Sequence, residues 1–81
     1  MNQPDEIFLA DVVVHIDETL DPAYLARMET HLMALEGVHS VLMHENKPHL
    51  MKVGFHPEKV HTMDILQQVI RQGVHAELIG L

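Results

Sequence analysis

Histidine carries most of the chemical potential of this chain: eight of its 81 residues are histidine and none is cysteine. Neutral imidazole nitrogen ligates Zn, Cu(II), Ni and Co, and imidazole also changes charge near neutral pH. The absence of cysteine excludes disulfides, thiolate metal sites, thiol redox chemistry and a cysteine nucleophile together. His15, His39, His56 and His75 each fall where a strand is expected to begin or end, and Asp17 closely follows the first. They are far apart in sequence and form no local metal-ligand motif. Any joint role depends on a fold that brings them together.

The hydrophobic pattern marks the elements that must do this. Residues 6–17 alternate: Phe8, Ala10, Val12, Val14 and Ile16 share one parity, Leu9, Asp11, Val13, His15 and Asp17 the other. That is a half-buried strand, and the purely apolar set is expected to face the core. Asp21-Pro22 opens a helix, with Asp21 as cap and Pro22 at the first helical position. Leu25, Met28, His31, Leu32 and Leu35 follow at helical spacing, and Gly37 is the expected stop. Residues 38–44 and 50–56 read as second and third strands around a turn at Asn46-Lys47-Pro48. Facing Val41 and Met43 inward with Met51, Val53 and Phe55 requires Met43 opposite Met51 and a three-residue loop at 46–48. A slip of one residue would put Lys52 inside. Residues 62–72 read as a second helix capped by Thr62, with Met63, Leu66, Val69 and Ile70 as its apolar stripe. Gly73 ends it, and residues 74–81 form a fourth strand. The order βαββαβ predicts an α+β ferredoxin-like sandwich: a four-stranded antiparallel sheet with two helices on one face. The chain is read as one domain over 1–81, with residues 1–5 as a disordered tail.

Composition narrows the function classes. Net charge is −7 with histidine neutral, and the five Lys and Arg are scattered. Nucleic acid and anionic membrane surfaces are therefore not expected partners; an acidic surface suits cations or basic proteins. No apolar run approaches the roughly 18 residues that cross a bilayer. The polar, acidic start is unlike a signal peptide, so a cytoplasmic location is expected. No glycine loop for phosphate is present. Ser40 and Thr62 adjoin histidines but in no recognisable catalytic arrangement, so an enzyme is not expected.

Three stretches resemble the heavy-metal-associated domain family of small copper chaperones and metal-pumping ATPases. Leu35-Glu36-Gly37-Val38-His39-Ser40-Val41 looks like that family's L-x-G-V-x-x-V. Val53-Gly54-Phe55-His56-Pro57-Glu58-Lys59-Val60 looks like its V-x-F/Y-D-P-x-K-V. Residues 64–73, from Asp64-Ile65 to Gly73, look like its D-I/L-x-x-A-I-x-x-x-G. The resemblance covers roughly residues 8–81 and implies the same fold. The family's G-M-T-C-x-x-C, where the first strand meets the first helix, is missing. Counted back from Gly37-Val38, its cysteine positions fall on Asp21 and Tyr24. These are hard oxygen donors and cannot replace two thiolates on Cu(I). Thiolate-based Cu(I) transfer is excluded.

The remaining candidate is histidine. The first and third strands are expected to be parallel neighbours, with the fourth beside the first. His15, His56 and His75 would then meet at one pole on the helix-free face, with Asp17 nearby and His39 on the helix side. Three imidazoles on adjacent strands about 4.8 Å apart would hold a divalent transition metal: Zn, Cu(II), Ni or Co. The plain alternative is three solvated strand-end histidines. Weaker candidates are a His44–His49 clip across the hairpin, thioether ligation by Met28, Met33, Met43, Met51 and Met63, and an Asp21–Tyr24 oxygen pair. His31 is expected to be half-buried and hydrogen-bonded, and His61 a cap neighbour. The competing function is a metal-free interaction module. It would be homodimeric or docked to a partner protein through an open sheet face carrying Val13, Leu42, Leu50 and Ile79 among Asp11, Lys52 and Glu77.

Overall fold

The alternating segment forms β1 (Ala10–Ile16) in the computed structural model, which describes residues 8–44 and 46–80. Val12, Val14 and Ile16 are buried, as their parity requires. Phe8, expected to join them, is 73% exposed. The reason is the partner strand: Ala10 opposite Phe55 is the last β1–β3 pair, so Phe8 has no neighbour to pack on. The expected tail at 1–5, the strand's start at residues 6 and 7, and the end of the fourth strand at Leu81 lie outside the described residues.

Helix α1 (Pro22–Met33) starts as its sequence dictates. Asp21 Oδ1 accepts the Tyr24 N–H at 2.8 Å, and Pro22 occupies the first turn. Met28 and Leu32 are buried, and Leu35 packs against the core. His31 is exposed, a correction to its expected half-burial: it lies at the margin of a stripe centred on Met28 and Leu32. The helix ends at Ala34, before the expected stop. Gly37 instead takes φ +100° in the turn that leads into β2 (Val38–His44). A Cβ there would come within 2.9 Å of Lys59 Cβ and Val60 Cγ1.

Strand β3 (Lys47–Phe55) begins earlier than its apolar run suggests. Met43 pairs with Met51, the register that keeps Lys52 outside. A bulge follows, and His44 pairs with Lys47, so the hairpin closes more tightly than a loop at 46–48 would. Helix α2 (Thr62–Ile70) is capped at His61 rather than Thr62; the His61 N–H donates to Asp64 Oδ2 at 3.1 Å. Ile65 and Val69 are its buried residues, whereas Met63 is 55% and Ile70 44% exposed. At about 100° per residue, Ile70 and Met63 fall about 120° and 140° from the centre of the stripe formed by Ile65 and Val69. Strand β4 (Ala76–Gly80) follows Gly73, Val74 and His75.

The sheet order is β2-β3-β1-β4, and all neighbours are antiparallel. The expected parallel pairing of the first and third strands is therefore wrong, for a topological reason. The α1 crossover carries the chain back so that β2 runs in the direction of β1, and the hairpin then returns β3 between them in the opposite sense. The core beneath the helices is purely apolar, and no polar residue is buried among the described residues. No described helix is long and apolar enough to cross a membrane.

Candidate metal site

Strand polarity decides which histidines meet. His15 pairs with Leu50 near the start of β3, while Phe55 at the other end of β3 pairs with Ala10. His56 follows Phe55. Six residue steps, about 20 Å, therefore separate the level of His15 from that of His56. His15, His56 and His75 do not converge, which corrects the expected three-histidine site. His56 instead meets His39: their rings stand edge to face with centroids 6.0 Å apart. The bulge between Val38 and Ser40 lets His39 depart from the strict alternation that assigned it to the helix side.

A different set gathers at the carboxyl end of β1. Burial of Val14 and Ile16 turns His15 to the helix-free face, and the β1–β4 register puts Glu77 directly opposite. His15 Nδ1 lies 2.7 Å from Glu77 Oε2 and 3.2 Å from Asp17 Oδ1. Carboxylates only accept, so the hydrogen is on Nδ1 and is shared between them. Donor atoms of His15, Asp17 and Glu77 all lie within 4.8 Å of one another. Two members, His15 and Asp17, were among the candidate ligands read from the sequence. Glu77 is new, and its signal was its place two residues after His75 on one strand face.

A second histidine stands beside this group. The His49 ring stacks on that of His15, with centroids 5.8 Å apart and planes at 23°. His49 Nδ1 is 2.8 Å from the Ile16 carbonyl oxygen. The described contacts of His49 are thus with β1, and the side chain of His44, its expected partner in a clip, lies outside the described residues.

His75 reaches the same end of the sheet but has its own partner. Glu18 accepts the His75 backbone N–H at 2.9 Å and lies 2.6 Å from its Nδ1. The Asp17 N–H donates to the His75 carbonyl at 2.8 Å, tying the segment after β1 to the start of β4. The hydrogen bond to Glu18 raises the His75 pKa, with the Glu18 and Asp17 charges adding to it. The same hydrogen bond holds Glu18 below the ordinary carboxylate range.

The positions where the resemblance puts cysteines have structural work. Asp21 caps α1. Tyr24 is half-buried against the core, with the Arg27 guanidinium over its ring at 5.4 Å. Met28 and Met51 are buried core residues, which leaves their sulfurs no free surface.

An ion bound by nitrogen and oxygen at 2.0–2.1 Å in tetrahedral array separates its donors by about 3.3 Å. The His15–Asp17 distance of 3.2 Å already meets this, and Glu77 at 2.7 Å needs to withdraw by about 0.6 Å. Both carboxylate side chains are about half exposed, so such a movement meets little packing resistance.

No family model matches the sequence, and no curated protein does. Solved structures do match. A copper-binding domain from HMA7, a P-type ATPase, superimposes with TM-score 0.78 at 23% identity, covering 86% of this chain and 93% of that one. The N-terminal domain of a potential copper-translocating P-type ATPase from Bacillus subtilis, in the Cu(I)-loaded state, gives TM-score 0.80 at 20% identity over 90% of each chain. Oxidized MerP from Ralstonia metallidurans CH34 gives 0.76 at 14% identity, covering 88% and 97%. The chain thus has the βαββαβ fold of heavy-metal-associated domains, and it contains no cysteine.

Proposed function

We propose that this chain is a small metal-associated domain that binds a divalent transition ion at the carboxyl end of β1, through His15, Asp17 and Glu77. The observation that carries this reading is the convergence of one imidazole and two carboxylates within 4.8 Å on a fold shared with copper-binding domains. One imidazole with two carboxylates suits Zn, Cu(II), Ni or Co and is a poor match for soft Cu(I). The two negative charges balance a divalent ion. As the ion takes His15 Nδ1, the hydrogen there moves to Nε2, and the bound ring is the neutral Nε2–H tautomer. Such a domain acts as a carrier, buffer or sensor of the ion, and the acidic surface favours a basic protein partner for handover.

Calorimetric titration of tag-free protein with Zn, Ni and Cu(II) tests the reading. One equivalent should bind, His15→Ala should abolish it, and His56→Ala should leave it intact. Binding no tighter than that of a single exposed histidine would end it. Association through the open sheet face is the second reading, favoured by Leu42 and Ile79, 59% and 52% exposed there. Sedimentation at two concentrations tests it, and a strict monomer counts against it.

A further inference from the structure

His49 has a feature the three-residue site leaves unexplained. Its Nδ1 sits 2.8 Å from the Ile16 carbonyl, which can only accept. The hydrogen is therefore on Nδ1, and in the neutral ring Nε2 carries the lone pair. A backbone carbonyl that fixes the tautomer in this way is a recurring support for metal-ligating histidines. The ring also stacks on His15 at 5.8 Å. Two imidazoles bound to one ion at 2.0–2.1 Å and the tetrahedral angle have centroids about 5.2 Å apart. The observed centroids are about 0.6 Å farther apart and the planes nearly parallel, so the His49 ring must also turn about its bond to Ile16 for Nε2 to point at an ion held by His15.

We propose that His49 is the second imidazole ligand of the ion, joining His15, Asp17 and Glu77 in an N2O2 donor set. The inference rests on the metal reading above and sharpens its selectivity. Two neutral imidazoles and two carboxylates leave a divalent ion with no net charge. The set favours Zn or Cu(II) over Ca and Mg, which take mainly oxygen ligands, and over Cu(I), which prefers sulfur.

The test compares wild-type protein, tag-free and full-length, with His49→Asn. Asparagine offers an amide N–H near the place of Nδ1, so the bond to Ile16 can persist while the second ring nitrogen is lost. Each protein receives one equivalent of Cu(II), and nitrogen superhyperfine couplings are counted by electron paramagnetic resonance. Zn affinity is measured by competition with a chromophoric chelator, and thermal melting of the apo proteins checks the fold. Two coupled nitrogens in wild type and one in His49→Asn are expected, with Zn binding weakened at least about 10-fold and the apo melting curve retained. Metal bound by both proteins with equal affinity and the same nitrogen count overturns the role of His49 and leaves the three-residue site standing. Wild-type protein that binds neither ion overturns both.

Discussion

Replacing Gly37 by alanine should destabilise the domain far more than the same change at Gly73, and the structure says by how much. Both glycines have positive φ, +100° and +95°, so each alanine carries backbone strain of about 1–3 kcal/mol. They differ in what the new methyl group meets. At Gly37 it would lie 2.9 Å from both Lys59 Cβ and Val60 Cγ1; Val60 is a buried core residue. Carbon atoms prefer about 3.5–4.0 Å, so the overlap forces the β2 entry turn and the segment before α2 apart, at about 1–3 kcal/mol more. At Gly73 the nearest atom is the Tyr24 hydroxyl at 3.1 Å, the far end of a side chain that can swing away. Gly37→Ala should thus cost about 2–6 kcal/mol and Gly73→Ala about 1–3 kcal/mol. In a domain this small, 1 kcal/mol moves the melting point by about 4–8 °C, so Gly37→Ala should melt roughly 10–50 °C lower. Urea unfolding of the two variants side by side is the assay. Equal losses, or a greater one at Gly73, would refute the steric account. Gly37 also accepts the His56 N–H at 2.7 Å and lies at the end of the sheet away from His15. Zn binding by folded Gly37→Ala should therefore be unchanged.

Other outcomes follow from single contacts. The raised pKa of His75 stabilises the folded state fully below its ordinary 6.5, and this is lost as pH rises through the raised value. The lowered pKa of Glu18 stabilises fully above its ordinary 4.5 and is lost as pH falls through the lowered value. The melting difference between wild type and Glu18→Gln should thus be widest between pH 4.5 and 6.5 and shrink on both sides. In apo Glu18→Gln the His75 titration followed by nuclear magnetic resonance should shift down in pH. Asp21→Ala removes the α1 cap and should cost about 1 kcal/mol in urea unfolding, while Asp21→Asn costs little. Leu32→Ala, at 0% exposure, should cost about 2–5 kcal/mol, whereas Leu42→Ala on the open face should stay within about 0.5 kcal/mol.

The fold was legible because period-2 and helical patterns report burial directly. Val12, Val14 and Ile16 on one parity, and Met43 opposite Met51, lie where the pattern puts them. The pattern failed where a residue has the right parity but nothing to pack on, as with Phe8, sits at the margin of a helical stripe, as with His31, or lies well off it, as with Met63 and Ile70. The site was only half legible. Alternation says which face a strand residue takes but not which way its strand runs. Connectivity sets direction, and reversing β3 sends His56 to the far end and brings His49 to His15. Glu77 was placed on the open face but not in a site, and Glu18 was not singled out, because isolated carboxylates carry no motif. Only the β1–β4 ladder reveals Glu77 as the cross-strand partner of His15.

This geometry splits the histidines between two ends of one sheet. His15, His49 and His75 stand among carboxylates at one end, and His39 and His56 pair at the other. Adding Zn to protein with isotope-labelled histidine, and following each imidazole by nuclear magnetic resonance, locates the ion directly. The His15 ring signals should move and saturate at one equivalent while those of His39 and His56 stay in place. Signals of His39 and His56 moving first, or all described histidines drifting together without saturation, would contradict a metal site at the carboxyl end of β1.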